Sequence, residues 1–285
     1  MADQGTADTY ERPRTLDAAL RLMAGGEARP LAGGSDLYPA AGDRGLRGAF
    51  IDLTAIPGLR GLAATPDGLR IGATTPWAEI VRADLPEACA ALRQAARQVG
   101  GRQVQETGTV AGNLCNASPA ADGMPPLLAL EAEVELASLR GLRRLPLARF
   151  VTGPRRTARA ADEILTAVLI PAPALAGRSR FLKLGARAHL VISIAMVAAR
   201  LVTDAGGRIR EAALAVGACG PVATRQPAAE AAMLGRTPAE AARALAPDQF
   251  AALAPIDDIR ASAAYRREAA LELARRALAD LAEGS

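Results

Sequence analysis

Residues 108–122 read GTVAGNLCNASPAAD, and residues 30–39 read PLAGGSDLYP. Each stretch sets glycines and small hydroxyl residues beside an apolar segment. One loop is Leu31, Ala32, Gly33, Gly34, Ser35, Asp36 and Leu37; the other runs from Gly108 through Thr109, Val110, Ala111, Gly112 and Asn113 to Leu114. Anion binding is the chemistry that wants this pattern. Glycine reaches backbone angles closed to other residues, so successive N–H groups can converge on a phosphate, and the missing side chain lets a ligand approach the backbone. Ser35 and Thr109 add hydroxyl donors. Either loop alone also reads as an ordinary tight turn. Neither is GxGxxG on a strand-to-helix turn with an acidic residue about twenty positions on, and no Gly-Lys-Ser/Thr occurs, so neither a Rossmann site nor a P-loop is indicated.

Outward from these loops, residues 14–24 alternate at helical spacing with Thr15 as candidate N-cap. Residues 28–32, 48–53 and 68–73 read as short strands, and Thr75-Pro76 as a helix start with a capping hydroxyl. A helix is expected over 86–99, stopped by Gly100-Gly101, then a loop of small residues from Thr107 to Asp122. A helix at 124–130 and strands at 133–138, 142–147 and 163–170 follow, and PAPALAG (171–177) reads as a linker. Beyond it come three longer strands (179–186, 191–203, 208–217) and three alanine-rich helices (227–234, 238–246, 259–282). The last is amphipathic, with Leu271, Ala274, Leu278 and Leu281 on one face.

The 285 residues, 50% of them apolar, predict about two domains. Aromatics are 3%, so the core must be built from Ala, Leu, Val and Ile. The net charge of +4 comes from interspersed arginines and acids rather than a basic stripe, which argues against a nucleic-acid surface. No apolar run reaches the roughly 18 residues that span a bilayer, and the opening MADQGTADTYERPRT has no apolar signal region. The three cysteines are scattered, with no CxxC, so no iron–sulfur or zinc site is expected here; their usage fits a reducing cytoplasm.

PLAGGSDLYP, GTVAGNLCNASPAADGMPPLLAL, EILTAVLIP, FLKLGARAHLVISIAMVAARL and PIDDIRASAAYRREAALELARRAL occur in this order. Together they resemble the FAD-binding medium subunit of molybdenum hydroxylases, a group that includes carbon monoxide dehydrogenase, xanthine dehydrogenase and bacterial N-heterocycle hydroxylases. The resemblance covers about residues 9 to 282, and GNLCNASPAAD is its most specific piece. It implies an α+β fold. An FAD-binding domain of the vanillyl-alcohol-oxidase (PCMH) type would occupy 1–172, with subdomains at about 1–57 and 58–172. A C-terminal domain like that of the CO dehydrogenase flavoprotein, a three-stranded antiparallel sheet with helices, would occupy 178–285.

The resemblance also implies roles for residues. Leu31 to Leu37 would carry the FAD diphosphate on backbone amides, and Thr109, Ala111, Gly112 and Asn113 would complete the cradle. Asp122 would touch the adenosine side, though by itself it also reads as a helix N-cap. Leu165 and Lys183, the only lysine, would be further contacts. Ser35, Ala111 and Ala188 depart from residues common in relatives. His189, the only histidine, lies outside both loops and reads as structural, so FAD is expected to be non-covalent.

Molybdopterin on a large subunit and two [2Fe–2S] clusters on a small one are expected partners, in a heterotrimer or a dimer of heterotrimers. Electrons would pass from the clusters to FAD and on to an external acceptor. The substrate pocket would lie on another chain, and NAD, oxygen, a quinone and a cytochrome all stay open as acceptor. The competing readings are a free-standing FAD oxidase or dehydrogenase and a scaffold that has lost its flavin.

Overall fold

The computed structural model describes residues 8–188 and 190–283, so His189 lies outside the described residues. The chain opens with β1 (Thr9–Glu11), α1 (Leu16–Met23), β2 (Arg29–Leu31), α2 (Leu37–Ala41) and β3 (Ala49–Asp52). The three strands pair in parallel in the order β1-β3-β2. The Thr15 hydroxyl accepts from the Ala18 amide at 3.2 Å, Asp17 sits in the first turn of α1 and Arg21 in the last, so the cap and both charges favour the helix. Ala19, Leu20 and Met23 of α1 close over Ile51 and Leu53.

A second unit follows: β4 (Leu62–Thr65), β5 (Gly68–Gly72), α3 (Trp77–Arg82), α4 (Ala90–Ala96), α5 (Arg102–Thr107), α6 (Val110–Asn116) and α7 (Met124–Ala129). Then come β6 (Glu133–Ser138), β7 (Gly141–Pro146), α8 (Leu147–Phe150), β8 (Val151–Gly153), β9 (Arg156–Thr157) and β10 (Ile164–Pro171). Five strands form an antiparallel sheet in the order β4-β5-β10-β6-β7, and the apolar run of β10 is its central strand. Leu165, Val168 and Ile170 join the core beneath Trp77, Ile80, Leu92, Leu114 and Leu127, whereas Ile164 joins the α1 core. Ile164 and Leu165 take opposite sides by ordinary alternation, and the register shift between Leu165 and Ala167 lets Leu165 and Val168, three residues apart, share one side.

The last unit has β11 (Arg178–Leu184), β12 (Ala195–Thr203), β13 (Ile209–Gly217) and β14 (Thr224–Arg225), then α9 (Pro227–Met233), α10 (Pro238–Ala244) and α11 (Ala263–Glu283). Its antiparallel sheet has four strands, β11-β12-β13-β14, not the three expected. β14 is two residues long, too short to leave a periodic pattern. On one face Val197, Ala199, Leu214 and Val216 pack under Ala270, Leu271, Ala274 and Leu278 of α11. On the other, Met196, Ala198 and Ala213 meet Ala91 and Ala95 of α4 and Ala129 of α7. The alternation of strand side chains thus sends one set to α11 and the other to the preceding unit.

Other expectations change in detail. The Thr75 hydroxyl accepts from the Gly61 amide at 2.9 Å rather than capping α3. The loop expected over 107–122 contains α6, and the strand expected from 191 starts only at Ala195. The linker 171–177 holds a 3-10 turn, Ala172–Leu175, with Ala174 buried.

Candidate functional site

The two glycine loops face each other across one cleft of about 860 Å³, inside the roughly 300–1,000 Å³ range of small-molecule and cofactor sites. Their approach is close. A Cβ on Gly33 would lie 1.8 Å from the Thr107 carbonyl oxygen, and one on Gly108 would lie 3.0 Å from Ser35 Oγ. Gly33 is therefore required by contact between the loops. Gly34 is required by conformation, at φ +67°. The second loop is fastened from behind, because Trp77 N–H donates to the Gly108 carbonyl at 3.1 Å and Val110 N–H to the Thr75 carbonyl at 3.1 Å.

The backbone of the first loop is left open. Among the described residues, no acceptor lies within hydrogen-bond reach of the amides of Gly33, Gly34, Ser35 and Asp36. The Ala111 amide, in the first turn of α6, also has none. The Gly112 amide is already used by the Thr109 hydroxyl, 3.1 Å away, which caps α6. A Cβ on Gly112 would stand 2.8 Å from that hydroxyl, so Gly112 serves the cap. Asn113 Oδ1 is fully buried and finds no donor among the described residues. Unpartnered groups of this kind call for water or a ligand.

Leu31 to Leu37, Thr109, Ala111, Gly112, Asn113, Asp122 and Leu165 all line this cleft; Lys183 does not. Lys183 sits behind Asp122, its Nζ 2.7 Å from Oδ2, while the Ser193 hydroxyl donates to Oδ1 at 2.6 Å. Lys183 Nζ also donates to the Gln98 carbonyl at 3.4 Å. Burial pushes the Asp122 carboxyl above its ordinary value, against the pull of Lys183 and Ser193. Asp122 thus joins the second unit to the third at the cleft wall, and it does not cap α7. Ala188 does not line the cleft.

Sequence reasoning missed several lining residues, among them Trp77, Arg155, Arg159, Val191 and Ile192. Trp77 was the available signal: it is the only tryptophan, and a Cβ on Gly123 would touch its ring at 2.5 Å. The arginines are partly satisfied, Arg155 by Asn116 and Arg159 by the Ala160 and Glu163 carbonyls at 3.0 and 2.7 Å. Cys115 also lines the cleft, but burial pushes its thiol up to about 11, so it is no thiolate at neutral pH. Free amides, a buried acceptor and two loops held in contact fit a long ligand with a diphosphate and hydroxyl groups, as FAD has.

Residues 5–173 match the family model described as the FAD binding domain in molybdopterin dehydrogenase, and residues 180–281 match the CO dehydrogenase flavoprotein C-terminal domain. The chain is 32% identical over 268 residues to a xanthine dehydrogenase FAD-binding subunit of Escherichia coli O157:H7, covering 90% of each. It is 33% identical over 276 residues to a nicotine 6-hydroxylase medium subunit of Paenarthrobacter nicotinovorans, covering 95% of this chain and 96% of that one. Among solved structures, a chain of reconstituted CO dehydrogenase from Oligotropha carboxidovorans superposes with a TM-score of 0.87 at 28% identity, over 100% of this chain and 99% of that one. A chain of quinoline 2-oxidoreductase from Pseudomonas putida 86 gives 0.85 at 26% identity, over 99% of both. This chain belongs to the family of FAD-binding subunits of molybdopterin dehydrogenases.

Proposed function

We propose that this chain holds FAD non-covalently in the cleft and works as the electron-transfer subunit of a molybdopterin-dependent hydroxylase or dehydrogenase. The observation that carries this reading is the run of amides from Gly33 to Asp36 that find no partner among the described residues, opposite Thr109 to Asn113 in one cleft. Those amides and that of Ala111 would hold the diphosphate; Asn113, Asp122 and Leu165 line the remaining wall, with Lys183 acting from behind Asp122. When bound, FAD supplies the exchange of one or two electrons between [2Fe–2S] clusters on a small partner subunit, fed by molybdopterin on a large one, and an external acceptor. The chain's own residues bind and orient: Thr109 fixes α6, Gly33 brings the loops into contact, and Trp77 backs the second loop.

The names of the relatives speak for a subunit rather than a free-standing oxidase. A heterotrimer, single or paired, is part of the reading, and so is the cytoplasm, which the three free cysteines support. Among the described residues, no helix is long and apolar enough to cross a membrane. We read the domains as 1–172 and 178–285, supported by family models that part between residues 173 and 180. Separate sheets on either side of residue 57 support subdomains at about 1–57 and 58–172 and the vanillyl-alcohol-oxidase-type arrangement.

Two measurements test this. Acid precipitation of the yellow protein should release all colour into the supernatant; colour left in the pellet would mean a covalent flavin. In a complex carrying Gly33→Ala, substrate should still bleach the iron–sulfur centres while turnover with the acceptor collapses. Clusters that stay oxidised despite intact assembly and molybdenum would place the flavin upstream and reverse the relay.

A further inference from the structure

The PIDDIRASAAYRRE stretch (255–268) lies outside the cleft, yet it supplies a buried cation, Arg266. Arg266 Nη1 donates to the Ile194 carbonyl at 2.6 Å and the Ala218 carbonyl at 3.3 Å, and Nη2 to Asp258 Oδ1 at 2.6 Å. Ile194 immediately precedes β12 and Ala218 immediately follows β13. Met196 pairs with Gly217 at this same end, so Arg266 ties the open end of the β12–β13 pair shut. Ala218 is held there in the left-handed region, at φ +60°.

That end of the sheet touches the cleft wall twice. The Ala218 amide donates to the Pro119 carbonyl at 3.1 Å, and Ser193, beside Ile194, donates to Asp122 at 2.6 Å. Between those two contacts lie Ala120 and Ala121, which with Asp122 line the cleft, as do Val191 and Ile192 on the same side of Ser193. An apolar side chain in place of Arg266 would fill the space but leave two carbonyls without a donor, and those carbonyls set where Ser193 and Ala218 stand.

We propose that Arg266 is a positioning residue for the cofactor. It never meets the ligand, but it fixes the sheet end from which Ser193 and the Ala218 amide hold residues 119–122 in the cleft wall. This rests on the FAD reading above and gives the C-terminal unit a part in cofactor affinity.

The test titrates FAD into the flavin-stripped full chain and follows quenching of flavin fluorescence. Arg266→Met should weaken the Kd by about tenfold or more, a loss of about 1.4 kcal/mol. Leu278→Ala, buried lower on the same helix, should lower the melting temperature yet leave the Kd within about twofold, as a distant independent site does. Ser193→Ala should weaken binding as well. Wild-type affinity in Arg266→Met overturns the proposal, and so does an equal loss in Leu278→Ala, which would make Arg266 merely structural. Should Arg266→Met fail to fold, Ser193→Ala decides: an unchanged Kd overturns the proposal. A wild-type chain that binds no FAD would overturn the cleft reading itself.

Discussion

Lys183 and Asp122 leave little of either side chain to water, 5% and 9% exposed. Removing one partner of such a pair strands a buried charge, which costs about 3–5 kcal/mol. Lys183→Met should therefore lose stability on that scale in urea melts, and adding Asp122→Asn should recover most of it. Failure of the second change to recover anything would show that the two do not act as a pair. The resemblance could place Lys183 in the site, but only the fold shows it behind Asp122 rather than on the cleft. Asp258 answers to acid. Arg260 above all, with Arg266, holds its carboxyl well below the usual carboxylate range. Its contribution is complete above the unfolded value of about 3.9 and is lost as pH falls toward the depressed one. Asp122, raised by burial, runs the other way: it favours the fold at low pH and less so as pH rises through its raised value. Below about pH 4, then, Asp258→Asn should flatten the fall of melting temperature with acid, since wild type loses a term there that the variant lacks. Parallel acid limbs would contradict that assignment.

The contact between the first loop and the end of α5 is where one methyl group should matter most. A Cβ on Gly33 meets backbone, which cannot rotate away as a side chain can. Gly33→Ala should leave secondary structure by circular dichroism near wild type but strip flavin from the purified protein; full flavin stoichiometry would refute the loop-contact argument. Both loops and α1 with its Thr15 cap were legible because small residues and caps write local signals. α6 was not. Gly112 and Asn113 are poor helix formers, and Thr109 capping together with the Val110 bond to Thr75 overrides them. Thr75-Pro76 marked the start of α3 but not its cap, since a hydroxyl before proline looks like a cap until Gly61 is found beside it. The run before Ala195 read as strand because Val191, Ile192 and Ile194 are β-formers, yet Ser193 is turned toward Asp122 and Ile194 toward Arg266.

At the scale of the molecule, the C-terminal sheet meets the rest along a seam of Ala91, Ala95, Ala129, Ala198 and Ala213, with Phe181 and Met196. The sequence hid this seam, because the first five residues of β12, Ala195 to Ala199, are apolar on both faces and show no alternation. Ala198→Leu forces extra methylenes into a closed space and should cost about 1–3 kcal/mol, lowering the melting temperature and the retained flavin together. A variant as stable as wild type would mean that the seam yields. Alanine has no rotamers with which to adjust, so the five alanines cannot absorb a neighbour's added bulk by moving a side chain. Its consequence concerns inheritance. A lineage can enlarge one side only by shrinking the side opposite, and substitutions at these five positions should arrive as compensating pairs that keep their summed volume constant.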